Sequence, residues 1–527
     1  MTALYPFLLA AARVLFRADR NAGYYTPGDL VLILLAVLLL LFLVYAAAAR
    51  LFRGRGEGMP ALVTFITVLW LFGFDPGARS LPNLPHHLSY LLLGLSGLVA
   101  SVVVVWWLGR RPATLRTVSL FLTLTGMLLV LRSAAGVALD LRRERATVAR
   151  SALVRRLAEP IRASGPARGP ARDVYLIVLD EYANEEVLRD GLGFDNRPFL
   201  DSLRGLGFYV PKAVSSNYTM TMHSLPSLLN AAHMYPAERD FGTDGGDPTL
   251  ANHLLGESRV AGFLRSRGYR VVFFPSLWWV ATSALPGADS TVRVWHGFNL
   301  DRALATTDFR RSVREETLID YLHMDEPYDG DFVRRTLGDM ARLPSVDAPV
   351  FAFAHVLSPH WPIVFDRECR ARPRSARNRD RIGGYTGQLT CLNRMVLETV
   401  THLVRDSKVA PIILLQGDHG SQVHGFRTAD TAETLSATAA WERFGAFGAY
   451  YLPDWGEAAF GDTVTVVNVL GDVLRHYFGA DLPREPDDHY VSVEAEPYHF
   501  VHVEPAWVAA GDTVRSSRDA DGAATAR

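Results

Sequence analysis

Val174-Tyr-Leu-Ile-Val-Leu179, followed by Asp180-Glu181, is a run of six β-favouring residues closed by two carboxylates. So short an apolar run, bounded by polar residues, reads as a strand buried on both faces. Ile412-Ile-Leu-Leu415, followed by Gln416-Gly-Asp418-His419-Gly420, has the same construction. Val271–Phe274, Val350–Ala354 and Ala446–Leu452 supply three more strands, with helical patterns over about Glu185–Gly207 and Leu254–Gly268. This alternation predicts an α/β domain whose mainly parallel sheet is covered by helices, with its chemistry at the carboxyl ends of the strands.

Working outward, the strand ends carry metal-type donors. Asp180 and Glu181 close the first strand, and His355-Val-Leu-Ser-Pro-His360-Trp-Pro362 follows the Val350 strand. Asp418 and His419 follow the Ile412 strand, with His424 close behind. Between the first two lies Asn217-Tyr-Thr219-Met-Thr221-Met-His223-Ser224-Leu-Pro226-Ser227. Carboxylates and neutral imidazoles hold a divalent ion and leave positions open for a phosphate or sulfate oxygen. A hydroxyl beside such an ion loses its proton more readily and becomes a nucleophile. Singly, each residue has an ordinary reading as a helix cap, a turn or a core side chain. Four segments meeting at one edge of one sheet favour a site.

The rest of the chain is divided by charge. Of the 109 charged side chains among 527 residues, only 15 fall in residues 1–139, 11 of them Arg. That stretch carries +7, the connector 140–172 carries +6, and the remainder carries -14, so the formal total of -1 is a cancellation. A uniform soluble enzyme is excluded, and an acidic polar part argues against a nucleic-acid partner. Two cysteines are too few for a disulfide-built scaffold or a Cys-rich zinc module.

Leu30 to Ala49 is an uncharged run of twenty residues, roughly 30 Å as a helix, which matches a hydrocarbon core. Leu88 to Gly109 is a second span with Trp106 and Trp107 as an interfacial belt. Thr117 to about Leu139 is a third, broken only by Arg132; Met59 to Phe74 and Ala3 to Phe16 are shorter. Residues 1–139 therefore read as a transmembrane bundle of four or five helices, with five favoured. Ala3 to Phe16 lacks the basic leader and cleavage site of a signal peptide. Arg50, Arg53 and Arg55 flank one loop and Arg110, Arg111 and Arg116 another, which places both inside and the polar domain outside. Residues 140–172 read as a basic helical linker, 173–506 as the extracytoplasmic catalytic domain, and 507–527 as a disordered tail. A multi-pass protein of the plasma membrane is expected.

The order Asp-Glu, Thr before Ser-x-Pro, His-x4-His and Asp-His-Gly resembles the alkaline phosphatase/sulfatase superfamily. Its membrane-bound branch, the phosphoethanolamine transferases and lipoteichoic acid synthase-like phosphoglycerol transferases, has a similar layout over nearly the whole chain. The resemblance implies Asp180, Glu181, Asp418 and His419 as ligands of one or two divalent ions, Zn2+ or Mn2+. It implies Thr221 as the nucleophile, although Met222 stands where the pattern Thr-x-Thr-Ala-x-Ser-x-Pro has Ala. The resemblance implies that His360 would bind substrate phosphate or a second metal, and it is also a candidate for proton transfer; His355, His424 and Asn217 would serve substrate or a second metal. Leu228 replaces the Arg of the formylglycine motif, which argues against sulfate-ester hydrolysis. Cys369 and Cys391 can form one bridge, as an outside location permits.

The expected activity is transfer of a phospho-alcohol head group from a membrane phospholipid, through a covalent Thr221 intermediate, to an envelope glycan or lipid acceptor. Two other readings stay open: a phospho- or sulfuric-ester hydrolase using the same centre, and a catalytically inactive envelope-binding protein.

Overall fold

The structure is a computed structural model describing residues 3–54, 58–79, 86–242, 246, 248–276, 282, 285–292, 307–317, 330–345, 349–372, 381–426, 431–455 and 460–503. The expected tail at 507–527 lies outside the described residues. The chain divides into two compact units.

The first unit contains helices α1 (Tyr5–Asp19), α2 (Pro27–Leu51), α3 (Gly58–Arg79) and α4 (His86–Gly109), and all but the last turn of α5 (Pro112–Arg150). Among the described residues three helices, α2, α5 and the Leu88–Gly109 part of α4, are long and apolar enough to cross a membrane, and Gly58–Phe74 is a shorter apolar helix. At 15 residues, α1 spans roughly 22 Å. Thr26 and Asp29 form a capping box that starts α2. Arg132, the charge that interrupts the third span, faces Asp19 at 3.6 Å. Helix α5 does not end near Leu139: no Pro or Gly occurs from Val137 to Arg150, so the first part of the basic connector continues the same helix.

Sequence reading gave no hint that a segment from the later chain belongs to this unit. The helix Asp308–Glu315, capped by Thr307, buries Phe309 and Val313 in the cluster formed by Tyr25, Leu30 and Ile33. Arg310 pairs with Asp29 at 2.7 Å, and Glu316 accepts from Arg13 at 2.8 Å.

The second unit is built on a six-stranded sheet of β1 (Val174–Leu179), β2 (Arg270–Phe274), β3 (Ser290–Thr291), β4 (Val350–Val356), β5 (Ile412–Gln416) and β6 (Gly448–Tyr451). Its order is β3-β2-β4-β1-β5-β6, with only β6 antiparallel, which bears out the mainly parallel α/β domain expected in addition to an N-terminal helical bundle. All six side chains of β1 are buried, each contributing about 1.5–3 kcal/mol of transfer free energy. Three helices matter for the site: α6 (Thr221–Asn230), α7 (Arg381–Asp406) and α8 (Ala437–Phe444).

Two expected helices are each divided. Glu185–Gly207 resolves into a single π-turn at Val187–Gly191 and the helix Arg197–Gly205, separated where Gly193 takes a φ of 66°. The Leu254–Gly268 pattern becomes Thr249–Gly256 and Arg259–Ser266, the second capped by Ser258. Cys369 and Cys391 are joined in a disulfide with their Cα atoms 5.1 Å apart.

Behind α6, the antiparallel hairpin His489–Val493/Glu496–Val503 packs Tyr490, Tyr498 and Phe500 around Tyr218. His223 lies within this aromatic layer, its Nδ1 3.2 Å from Ser492 Oγ, and burial pushes its pKa down to about 3. The unfolded chain therefore binds the extra proton first. His223's contribution is complete above pH 6.5 and is lost as pH falls toward 3, about 2–3 kcal/mol of it by pH 4.5. Urea titrations of the full chain at pH 7 and 4.5 should show this loss, and His223→Gln should remove that part of it.

Candidate active site

Strand register builds the centre. Val178 of β1 pairs with His355 of β4 on one side and Gln416 of β5 on the other. Two residues further along, Asp180 and Asp418 emerge side by side from adjacent strand ends. His355 is the penultimate residue of β4 rather than a residue beyond its end, because that strand runs on to Val356. Gly417 can make the turn because a Cβ there would lie 2.5 Å from the Tyr182 carbonyl oxygen.

Asp180, His355 and Asp418 form a buried cluster whose ligand atoms all lie within 4.8 Å of one another. His355 Nε2 is 3.4 Å from Asp180 Oδ2, and its Nδ1 is 3.0 Å from Ser276 Oγ. Asp180 Oδ1, Asp418 Oδ2 and His355 Nε2 are buried without a hydrogen-bond partner. Polar atoms are costly to leave so. Burial and then the charge of Asp180 push Asp418 well above the ordinary carboxylate range. Burial also opposes ionisation of Asp180, but His360, His355 and His419 hold it below that range. Two facing carboxylates cannot both ionise in a dry site unless a cation stands between them. The donor set therefore fits a divalent metal ion.

Thr221 is the first residue of α6, and its Oγ1 lies 2.9 Å from His419 Nε2. His419 Nδ1 is 3.1 Å from the Gly420 carbonyl oxygen, to which it donates, leaving Nε2 as a lone-pair acceptor. Burial and then the nearby Arg443 push the imidazole pKa well below its ordinary value, so His419 stays neutral. His419 Nε2 also lies 3.1 Å from Asp418 Oδ2 and 3.9 Å from Asp180 Oδ1. The neighbouring hydroxyls have other roles. Thr219 Oγ1 donates to the Ser492 carbonyl at 2.6 Å, and Ser224 Oγ is buried against Ser216 Oγ at 3.0 Å.

Glu181, at φ 63°, directs its carboxylate to Arg443, 2.7 Å from Nη1, with His360 Nε2 3.7 Å from the same oxygen. His360 lies in a loop held by α7, where Gln388 Nε2 donates to the carbonyls of Pro359 and His360 at 3.0 and 3.2 Å. Two further expected site residues are not among the three that form the Asp180–His355–Asp418 cluster. Asn217 accepts from Val467 N at 2.9 Å and donates to the Asp488 carbonyl at 2.8 Å, so both ends of its amide are occupied. His424 packs against Glu442, 3.2 Å from its carboxylate, away from the metal-type cluster.

Sequence reasoning missed Glu442 and Arg443 of α8. Buried Glu442 accepts from the backbone N–H groups of Val423 and His424 at 2.7 and 2.8 Å and so fixes the chain after Gly420. Trp441-Glu442-Arg443 looks like the solvated charge of a short helix, and nothing local marks it as buried.

A parallel sheet whose adjacent strand ends deliver two aspartates and two histidines to one buried centre, faced by a threonine at a helix start, defines the alkaline phosphatase/sulfatase class of α/β enzymes. The sulfatase family model matches residues 172–451. That is more than half of the chain, and the chain belongs to the sulfatase family. A comparison with curated protein sequences found no match. Among solved structures, the chain is similar to the periplasmic domain of Escherichia coli EptC in complex with Zn, at 9% identity and TM-score 0.43 over 65% of this chain and 96% of that one. It is also similar to the integral membrane lipooligosaccharide phosphoethanolamine transferase A of Neisseria meningitidis, at 14% identity and TM-score 0.41 over 91% and 94%. An alkaline phosphatase superfamily protein of Vibrio parahaemolyticus matches at 14% identity and TM-score 0.38 over 62% and 75%.

Proposed function

We propose that this chain is a membrane-anchored phosphotransferase that moves a phospho-alcohol head group from a phospholipid to an envelope glycan or lipid. The observation that carries the reading is the 2.9 Å contact between Thr221 Oγ1 and His419 Nε2 at the edge of the Asp180–His355–Asp418 cluster. A divalent ion, Zn2+ or Mn2+, held by those three residues would supply positive charge to the phosphoryl oxygens.

His419 Nε2 accepts the Thr221 proton as Oγ1 bonds to phosphorus, and the bond from phosphorus to the diacylglycerol oxygen breaks. The leaving oxygen takes up a proton, for which His360 is the adjacent imidazole. The start of α6 adds the partial positive charge of its free N–H groups to the same place. An acceptor hydroxyl then bonds to phosphorus and passes its proton to His360. The bond from phosphorus to Thr221 Oγ1 breaks, that oxygen takes back the proton held by His419, and diacylglycerol remains in the bilayer where the donor was met.

Five membrane crossings by α1–α5 with the catalytic unit outside agree with the arginine-rich loops and with the Cys369–Cys391 disulfide, which persists in an oxidising compartment. The full-length protein, incubated with head-group-labelled phospholipid and no acceptor and then acid-quenched, should carry label on Thr221 in its peptide map. Label on another residue, or released head group with Thr221 never modified under any quench time, overturns the assignment.

A further inference from the structure

Helix α5 is one unbroken helix of 39 residues, and its sides differ. Ser119, Thr123, Gly126, Ser133 and Val137 are buried, whereas Phe121, Leu124, Leu128 and Leu131 are 59–68% exposed. Alternating steps of three and four residues carry the exposed stripe through Ala135 and Ala138 to Arg142 and Arg145, all of them exposed. The side of α5 that meets acyl chains therefore runs straight into two arginines. Among the described residues neither has an ion pair, and the neighbouring acids are engaged elsewhere. Asp140 faces Arg143 at 3.7 Å, and Glu144 accepts from Gly23 N at 2.9 Å. Arg132, deeper in the helix, already faces Asp19 at 3.6 Å.

The apolar span ends at about Leu139, so Arg142 and Arg145 lie about 4.5 and 9 Å beyond it along the helix. The head-group layer is roughly 5–8 Å deep on each side of the hydrocarbon core, which brings both guanidiniums to the depth of the lipid phosphates. Three residues apart, they are neighbours on the helix surface and can donate together to one phosphodiester. We infer that Arg142 and Arg145 form a binding site for an anionic phospholipid of the outer leaflet. Its acyl chains lie along the Phe121–Leu131 stripe and its phosphate between the two guanidiniums. The stripe makes the ligand a lipid, since free phosphate would meet only two exposed charges screened by water and salt. Two uncompensated positive charges favour a net-negative head group over a zwitterionic one, whose ammonium they repel. A lipid counter-charge also accounts for arginines that follow the span on the side where few are expected.

The inference rests on the proposed outward crossing of α5, and the test separates the two. Full-length protein is reconstituted in nanodiscs of phosphatidylethanolamine with a minor share of phosphatidylglycerol, released into mild detergent, and examined by native mass spectrometry for bound lipid. The wild type should retain phosphatidylglycerol in preference to phosphatidylethanolamine. Arg142→Gln and Arg145→Gln should each weaken that retention about fivefold, and the double variant by about tenfold or more. Arg150→Gln, about 16 Å beyond Leu139 and past the head groups, should bind as the wild type does. All these side chains are exposed, so the melting temperature should not move. A double variant that retains phosphatidylglycerol within about twofold of the wild type, or a wild type that shows no preference between the two lipids, overturns the site. Separately, Ala149→Cys in intact cells should react with a membrane-impermeant maleimide. Reaction only after lysis would place this end of α5 inside and overturn the outward crossing, whatever the lipid count.

Discussion

Thr221→Ala should lower turnover on a phospholipid donor by three orders of magnitude or more, while the protein still folds and binds its ion. The Thr221 hydroxyl is the one in this segment that meets His419, at 2.9 Å. A two-step transfer has no route when the atom that carries the intermediate is gone, and losses of about 10³-fold or more are usual for a missing nucleophile. Rescue from next door is closed. Thr219 Oγ1 is engaged with both the carbonyl and the N–H of Ser492, and Ser224 is buried against Ser216 and the Tyr218 carbonyl. Metal content should be unchanged, because the clustered ligand-type atoms belong to Asp180, His355 and Asp418 and not to Thr221. Thr221→Ser, which keeps the hydroxyl, should restore much of the rate. Turnover of Thr221→Ala within tenfold of the wild type would refute the nucleophile and favour simple hydrolysis by a metal-bound water.

The parts of this molecule that were legible in the sequence are those with one physical reading. Val174–Leu179 is too short to cross a membrane and too apolar for a surface, so only a doubly buried strand fits, and its end had to be polar. Asp180 and Asp418 were accordingly found by the strand-end rule. Their adjacency came from the Val178↔Gln416 register, which no local pattern contains. Glu181 shows the limit of the same rule. Asp180 and Glu181 were both expected as ligands, but consecutive residues leave a strand in opposite directions, and of the two Asp180 joins the cluster. Their separation became visible only with Arg443, which lies 262 positions away in the chain. The helix Asp308–Glu315 was hidden for a related reason: its apolar residues Phe309 and Val313 are few, and what covers them is a bundle encoded some 280 residues earlier. Local periodicity reports what a segment buries and says nothing of where the covering surface comes from.

Gly420→Ala should cost about 3 kcal/mol or more and remove activity. A Cβ on Gly420 would lie 1.9 Å from the Glu442 carbonyl oxygen and 2.7 Å from that of Gly445, both backbone atoms. Flexible side chains can swing aside; the end of α8 can do so only by moving its backbone. That shift is opposed from three directions. Gly420 N donates to the Arg443 carbonyl at 2.7 Å, its own carbonyl accepts from Arg443 Nη1 at 3.1 Å, and the same oxygen lies 3.1 Å from His419 Nδ1. Separating Gly420 from α8 would thus release the hydrogen bond that sets the His419 tautomer and loosen the guanidinium beside Glu181. Overpacking against backbone is costly because relaxation has to be shared by every bond the segment makes. Gly205→Ala, at the end of the helix Arg197–Gly205, is the control, since nothing lies within 4 Å of its would-be Cβ. It should leave the melting temperature unchanged or slightly raised through better helix propensity. The two variants are compared by thermal unfolding of the full chain and by turnover. If Gly420→Ala melted and turned over like Gly205→Ala, the contact between the Asp418-His419-Gly420 turn and α8 would be slack. Arg443 would then have no fixed position from which to hold Glu181.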